Sequence, residues 1–144
     1  MTDKIKSELV AIMRELRFSA FLATDDDGQP VIRPMSPIVE DDLTVWLVTF
    51  SSSNKIKQLK ANNRICLAFA DTKSWKKEVT IFGRAEIIDD LTAKQHVWNI
   101  SGESLEKYFP EGAHSPKFCL LNIQIDKVQW RCGEETVNKT YLPE

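Results

Sequence analysis

Between residues 19 and 125 the chain is cut into six short strand-like runs by turn signals, and that rhythm leaves few folds open. The runs lie at 19–24, 31–39, 43–50, 64–70, 78–88 and 118–125. They are rich in β-branched and aromatic residues, which suit a pleated, half-buried surface. Asp25-Asp26-Asp27-Gly28 closes the first run, and Asp-Gly is a strong hairpin signal because both residues tolerate positive φ. Glu40-Asp41-Asp42 closes the second. Gly83, inside the fifth, predicts a bulge or a close backbone approach. Pro34 and Pro37 interrupt the second run, and each removes a ladder donor. That strand is expected at an edge, at a bulge or against a partner. Strands and helices do not alternate strictly, so a doubly wound parallel sheet is disfavoured and a small barrel or sandwich is favoured. A chain of 144 residues suits one domain, 1–144.

Helices flank these strands. Ile5, Leu9, Ile12, Met13 and Leu16 fall on one face at helical spacing, with Thr2 or Asp3 able to cap the start. A short helix is expected over 55–61, ended by Asn62-Asn63. Asp89-Asp90 can cap another from Leu91 to Ile100, and a short turn of helix is expected near Leu105–Tyr108. The polar tail from Arg131 is expected to be mobile or bound to a partner.

Charge and composition exclude several classes. Nineteen Lys and Arg stand against 21 Asp and Glu, a net charge of -2, without the basic excess of a nucleic-acid binder. No apolar run approaches the ~20 residues of a transmembrane helix. The N-terminus lacks the apolar core of a signal peptide. Cys66, Cys119 and Cys132 make an odd set with no C-x-x-C spacing, which fits a reduced, cytoplasmic setting. His96 and His114 are far apart, so no metal site is expected; His96 suits a half-buried structural role. No serine lies in a G-x-S-x-G elbow, and no acid–base set stands out. If this chain is an enzyme, a cofactor should carry its reaction.

The most informative stretch is Val48-Thr49-Phe50-Ser51-Ser52-Ser53-Asn54-Lys55, where a strand runs through hydroxyls into a helix start. Free N–H groups, serine hydroxyls and the Lys55 charge together suit a phosphate. The same residues also suit a plainer arrangement, in which Ser53 caps its own helix and Lys55 faces solvent. It is not a P-loop, because the glycines are absent. Arg33 is a second candidate, on the strand face shared with Val31 and Met35; its donor fork could hold a phosphate or a ring carbonyl. Of the four tryptophans, Trp46 suits the core and Trp98 an anchor for its helix, while Trp75 and Trp130 could pack on a planar ligand or a partner.

The ordered set Phe21-Leu22-Ala23-Thr24, Asp27-Gly28-Gln29-Pro30, Arg33-Pro34-Met35-Ser36, Thr49, Ser53-Asn54-Lys55-Ile56-Lys57-Gln58-Leu59, Asn62-Asn63-Arg64-Ile65 and Gly83-Arg84-Ala85-Glu86 resembles the FMN-binding split-barrel family related to pyridoxamine 5′-phosphate oxidase. Tyr108-Phe109-Pro110-Glu111-Gly112, Ser115-Pro116 and the run to Trp130 resemble its general stress protein branch. The resemblance implies a mainly β (α+β) fold, a six-stranded split β-barrel of Greek-key type with flanking helices. It implies a homodimer with FMN at the subunit interface. Flavin contacts are implied for Arg33, Pro34, Met35, Val48, Thr49, Ser53, Asn54 and Lys55, with Glu78 and Trp130 from further along the chain. The family's usual Ser-Arg-Lys reads Ser53-Asn54-Lys55 here, one cation fewer. Glu78 stands where the oxidase carries a flavin-contacting glutamine, and a carboxylate there cannot donate unless protonated. The oxidase's arginine-bearing C-terminal segment has no match, so vitamin B6 oxidation is not implied. Two function classes follow: an FMN-dependent oxidoreductase or flavin reductase, with a nicotinamide or unidentified donor, and a non-enzymatic flavin-binding stress-response module. Relatives that bind haem or a deazaflavin add a third ligand option.

Overall fold

The computed structural model describes residues 2–101 and 105–143. The cap expected from Thr2 rests on a side chain outside the described residues, and part of the loose stretch over 101–115 also lies outside them.

Helix α1 (Thr2–Glu15) opens the chain. It buries Leu9, Ile12 and Met13 of the face its spacing predicts, with Ile5 half-buried and Val10 buried beside them, and lies against the sheet. A 3-10 turn at Arg17–Ser19 leads into β1 (Ala20–Asp26), which pairs antiparallel with β2 (Gln29–Met35). Asp27 at φ 52 and Gly28 at φ 88 make the hairpin turn, both in the left-handed region. β3 (Ile38–Val39), β4 (Val45–Phe50), α2 (Asn54–Ala61), β5 (Arg64–Ala70), β6 (Lys77–Ile88) and α3 (Leu91–Ile100) follow. Asp90 caps α3, as expected, by accepting from the Ala93 N–H. A 3-10 turn at Leu105–Lys107, β7 (Phe118–Cys132) and β8 (Lys139–Tyr141) complete the chain.

Among the described residues the fold is mainly antiparallel β, with three helices and eight strands. Eight strands form one sheet in the order β2-β1-β5-β6-β7-β4-β3, with β8 added beside β7. The expected count of six differs for two reasons. The run over 31–39 is two strands, because Pro34 and Pro37 lack the N–H groups a continuous ladder needs. The tail from Arg131 supplies the eighth: Tyr141 is buried, and β8 pairs with β7 from Val128 to Trp130. The sheet is not closed by hydrogen bonds. Its two end strands, β2 and β3, are instead consecutive in the chain, with only Ser36 and Pro37 between them. Carbonyls around the break are taken up by arginines: Arg17 Nε donates to Pro37 O at 2.8 Å and Arg14 Nε to Val39 O at 2.9 Å.

Among the described residues, two apolar clusters result. The main one lies under α1 and includes Leu22, Leu47, Leu67, Phe69, Val79, Ile81 and Trp130. A smaller one, around Val97, Phe109, Phe118 and Leu120, fastens α3 and the 105–118 segment to the other side of β4 and β7. Trp98 packs on Phe118 there, with ring centroids 5.9 Å apart. Trp46 belongs to that side too, half-buried, and not to the main core as its sequence context suggests. Its indole donates to Glu40 Oε2 at 2.7 Å. Gly83 is the expected bulge: the β6–β7 register shifts between Phe82 and Gly83. A Cβ there would stand 2.0 Å from Gln124 O, so only glycine fits without a shift of backbone.

Candidate functional site

The break between β2 and β3 opens a cleft of about 640 Å³. Pro34, Met35, Ser36 and Ile38 line one wall, and Val48, Thr49 and Phe50 of β4 line the other. Arg17, Phe18, Leu105, Lys107, Tyr108 and Phe109 extend it. The cleft exists because β2 pairs only with β1, and past Ser36 and Pro37 the chain joins β4 through β3 at just two positions, Ile38↔Trp46 and Val39↔Val45.

Thr49 joins this cleft to a cluster of two cations. Ser53 caps α2 by accepting from the Lys55 N–H at 3.3 Å. The helix start therefore brings Lys55 back over the end of β4. Lys55 Nζ donates to Thr49 Oγ1 at 2.7 Å and to Ser53 Oγ at 2.8 Å. An ammonium has three N–H donors, so one remains. Burial, and then the nearby Arg33 charge, pull the Lys55 ammonium below its ordinary pKa. Arg33 projects on the face of β2 that β1 covers with Leu22 and Thr24. Its Nη1 donates to Thr24 Oγ1 and its Nη2 to Gln58 Oε1, both at 2.8 Å. The Thr24 hydroxyl donates to the same Gln58 oxygen at 2.7 Å. Burial also lowers the Arg33 pKa. Among the described residues, neither cation has a carboxylate within salt-bridge distance, although both are partly removed from water. Two like charges held by neutral oxygens beside a helix start have unused capacity for an anion.

The structure brings together most of the residues named from the sequence. Pro34, Met35, Val48 and Thr49 line the cleft; Arg33, Ser53 and Lys55 form the cluster at its Thr49 side. Lys55 is thus turned inward, not into solvent. Asn54 is exposed at the first position of α2. Glu78 and Trp130 do not lie along the cleft of the same chain. Glu78 accepts from Arg131 Nε at 3.3 Å across the β6–β7 ladder. Trp130 is only 3% exposed within the main core, and its indole N–H has no acceptor among the described residues. Trp75 is exposed on the β5–β6 loop, in the left-handed region at φ 59. His96, expected to be half-buried, is exposed and pairs with Glu40 Oε1 at 2.9 Å. The three cysteines are free, and burial raises the pKa of each thiol.

Sequence reasoning did not assign roles to Thr24 and Gln58, or to the aromatics Phe18, Phe50 and Tyr108 along the cleft. Gln58 carried a usable signal: it lies three residues after Lys55, on the same side of α2. Thr24 is a polar residue at an inward position of β1, where an unexplained hydroxyl asks for a partner.

A family model described as pyridoxamine 5′-phosphate oxidase matches residues 5–132. No curated protein matches the chain. Among solved structures, a Clostridium acetobutylicum protein related to general stress protein 26 of B. subtilis, of the pyridoxinephosphate oxidase family, is 25% identical, with TM-score 0.80 over 99% of this chain and 96% of that one. General stress protein 26 from Bacillus anthracis is 20% identical, with TM-score 0.75 over 99% and 100%. A heme binding protein from Mycobacterium smegmatis is 17% identical, with TM-score 0.73 over 95% of this chain and 57% of that one. The last two share the fold alone.

Proposed function

The chain belongs to the pyridoxamine 5′-phosphate oxidase family, and from that premise we propose that it is an FMN-binding protein whose flavin phosphate is held by Lys55, Arg33 and the start of α2. One observation carries the reading: two partly buried cations share a site whose other members are all hydroxyl or amide groups. A phosphate supplies the charge and acceptors this cluster lacks. Pro34, Met35 and Val48 then offer the ring an apolar wall. FMN, when bound, supplies electron and hydride transfer; this chain's residues bind it, orient it and exclude water from one side. Among the described residues the cleft is lined by no carboxylate or histidine, and the reading is of a flavoprotein with oxidoreductase chemistry and a nicotinamide or other external donor.

A homodimer belongs to the same proposal. The outer face of β2, β1, β5 and β6 carries Pro34, Phe21, Ala68 and Thr80 in one row, and Ile32, Ala23, Cys66 and Phe82 in the next. Ile32 is 67% exposed and Phe21 39%. A solvated sheet face would alternate polar residues at these positions. The tract adjoins the cleft through Pro34, so a second copy seated on it would lie beside the flavin. A stable interface of this kind buries roughly 2,000 Å² or more.

Titration of FMN and riboflavin by flavin fluorescence tests the phosphate site, with preference for FMN expected. Equal affinity for the two would remove it. The visible spectrum of the purified protein separates flavin from haem. Oxidation of a reduced nicotinamide by the FMN-loaded protein separates an enzyme from a binding module. Light scattering at dilute concentration gives the dimer mass.

A further inference from the structure

Gln58 is the hub of the cation cluster, and nothing in the flavin reading assigns it a role. Its Oε1 accepts from both Arg33 Nη2 and Thr24 Oγ1, at 2.8 and 2.7 Å. Arg33 Nη1 closes the ring onto Thr24 Oγ1. Donors and acceptors match all round: a guanidinium can only donate, a hydroxyl does both, and an amide oxygen has two lone pairs. This chemistry fixes which way the amide faces. Its oxygen meets Arg33, and its two N–H donors point elsewhere, with no acceptor among the described residues. The ring spans β1, β2 and α2, so it ties the helix that carries Lys55 to the strand that carries Arg33.

A glutamate at this position would have nearly the same shape and a better bond to Arg33. It would also cancel one of the two positive charges. We propose, resting on the phosphate reading above, that Gln58 is the positioning residue of the anion site: it holds Arg33 in place while leaving the charge of Arg33 free for a phosphate. The role requires an acceptor that is neutral. A carboxylate would fill the site with its own charge. The neutral amide therefore sets specificity for a phosphorylated ligand without touching the reacting ring.

The test compares FMN with riboflavin in the wild type, Gln58→Glu and Gln58→Leu. In Gln58→Glu, FMN binding should weaken about tenfold or more, the loss expected when a charge-assisted bond is forfeited. Riboflavin should bind as in the wild type, and the salt dependence of FMN binding should become shallower, because one net charge has gone. Gln58→Leu keeps both charges but leaves Arg33 held by Thr24 alone. FMN should weaken by a few-fold, with the wild-type salt dependence retained. A purely structural role would lower both ligands together and leave the salt dependence alone, and that result overturns the proposal. So does an unchanged FMN-to-riboflavin ratio in Gln58→Glu. Should Gln58→Glu bind neither ligand through misfolding, Gln58→Leu decides by the same ratio. A wild type that does not distinguish FMN from riboflavin would overturn the phosphate reading itself, and this proposal with it.

Discussion

Arg33 and Lys55 are held by hydroxyl and amide oxygens, whereas Arg84 and Arg131, on the neighbouring strands β6 and β7, are each held by a carboxylate. Arg84 pairs with Asp126 at 2.9 Å and Arg131 with Glu78 at 3.3 Å. The second arrangement is self-sufficient. Its charges cancel locally, and each side chain stays in contact with water. The first is not. It brings two like charges together: burial lowers the pKa of both groups, and the Arg33 charge lowers that of Lys55 further. A fold tolerates such a cluster where something outside the chain completes it. Counting cations would not distinguish the two regions; asking what each cation touches does.

Removing the Lys55 ammonium should separate the regions most sharply. Lys55→Ala should weaken FMN about tenfold to a hundredfold, the loss of one charge-assisted bond of ~1.5–3 kcal/mol, while leaving riboflavin nearly unaffected. Fluorescence titration of both ligands reads this, and a constant ratio would place Lys55 among the self-sufficient cations.

Raising the pH should act in the same direction. The Lys55 pKa is depressed in the folded protein below the ordinary 10.5, and a bound phosphate dianion favours the charged form. FMN affinity should therefore fall as the pH rises through that depressed range, while the free ammonium loses its proton. Riboflavin shares the ring system but not the phosphate, so subtracting its pH profile isolates the effect. The sign for stability follows the same window. The unfolded chain holds more protons there than the folded one, so the Lys55 contribution to stability increases with pH until 10.5 is passed. A ratio of affinities that stays flat across this range would break the assignment.

Adding a cation at the exposed start of α2 tests the comparison from the other side. Asn54→Arg should tighten FMN about two- to fivefold, as an exposed charge worth ~0.5–1 kcal/mol does, with a steeper dependence on salt. Looser binding, or tightening that salt does not diminish, would mean the helix start faces away from the phosphate. The smallest effect belongs to the paired region. Arg84→Ala should cost less than about 1 kcal/mol in stability, since both partners are about half exposed, and should leave both flavins unaffected. A thermal melt and the same titrations check it.

Features decided by neighbouring residues are legible in the sequence itself. The Asp27-Gly28 turn, the Ser53 and Asp90 caps and the Gly83 bulge each follow from backbone preferences of one or two residues. The proline-broken strand was legible as an interruption, but its consequence was not. That a cleft opens there depends on β4 arriving from the other end of the sheet. The last strand reads from the sequence as ending at Ile125, with Asp126 and Lys127 beyond it. They instead continue β7, because β6 reaches far enough to pair with Lys127 and the residues after it. Trp46 was misplaced because alternation gives two faces without saying which one the larger cluster occupies. The cation cluster was half legible: Lys55 and Ser53 stand in one local motif. The ring of Thr24, Arg33 and Gln58 is assembled from three separate elements, and only the pairing of β1 with β2 and the docking of α2 create it.

The two residues between β2 and β3 also set a mechanical limit. Met35 ends one edge of the sheet and Ile38 begins the other. Three backbone steps fully extended span no more than about 11 Å, so at this point the walls of the cleft are on a short leash. Pro37 stiffens it further by fixing one of its few free torsions. A groove tethered in this way resists gaping wide or shutting completely, and it enters a binding event with much of its shape already decided. Lengthening the leash by inserted glycines would trade that readiness for slack, without altering a single residue that faces the cleft.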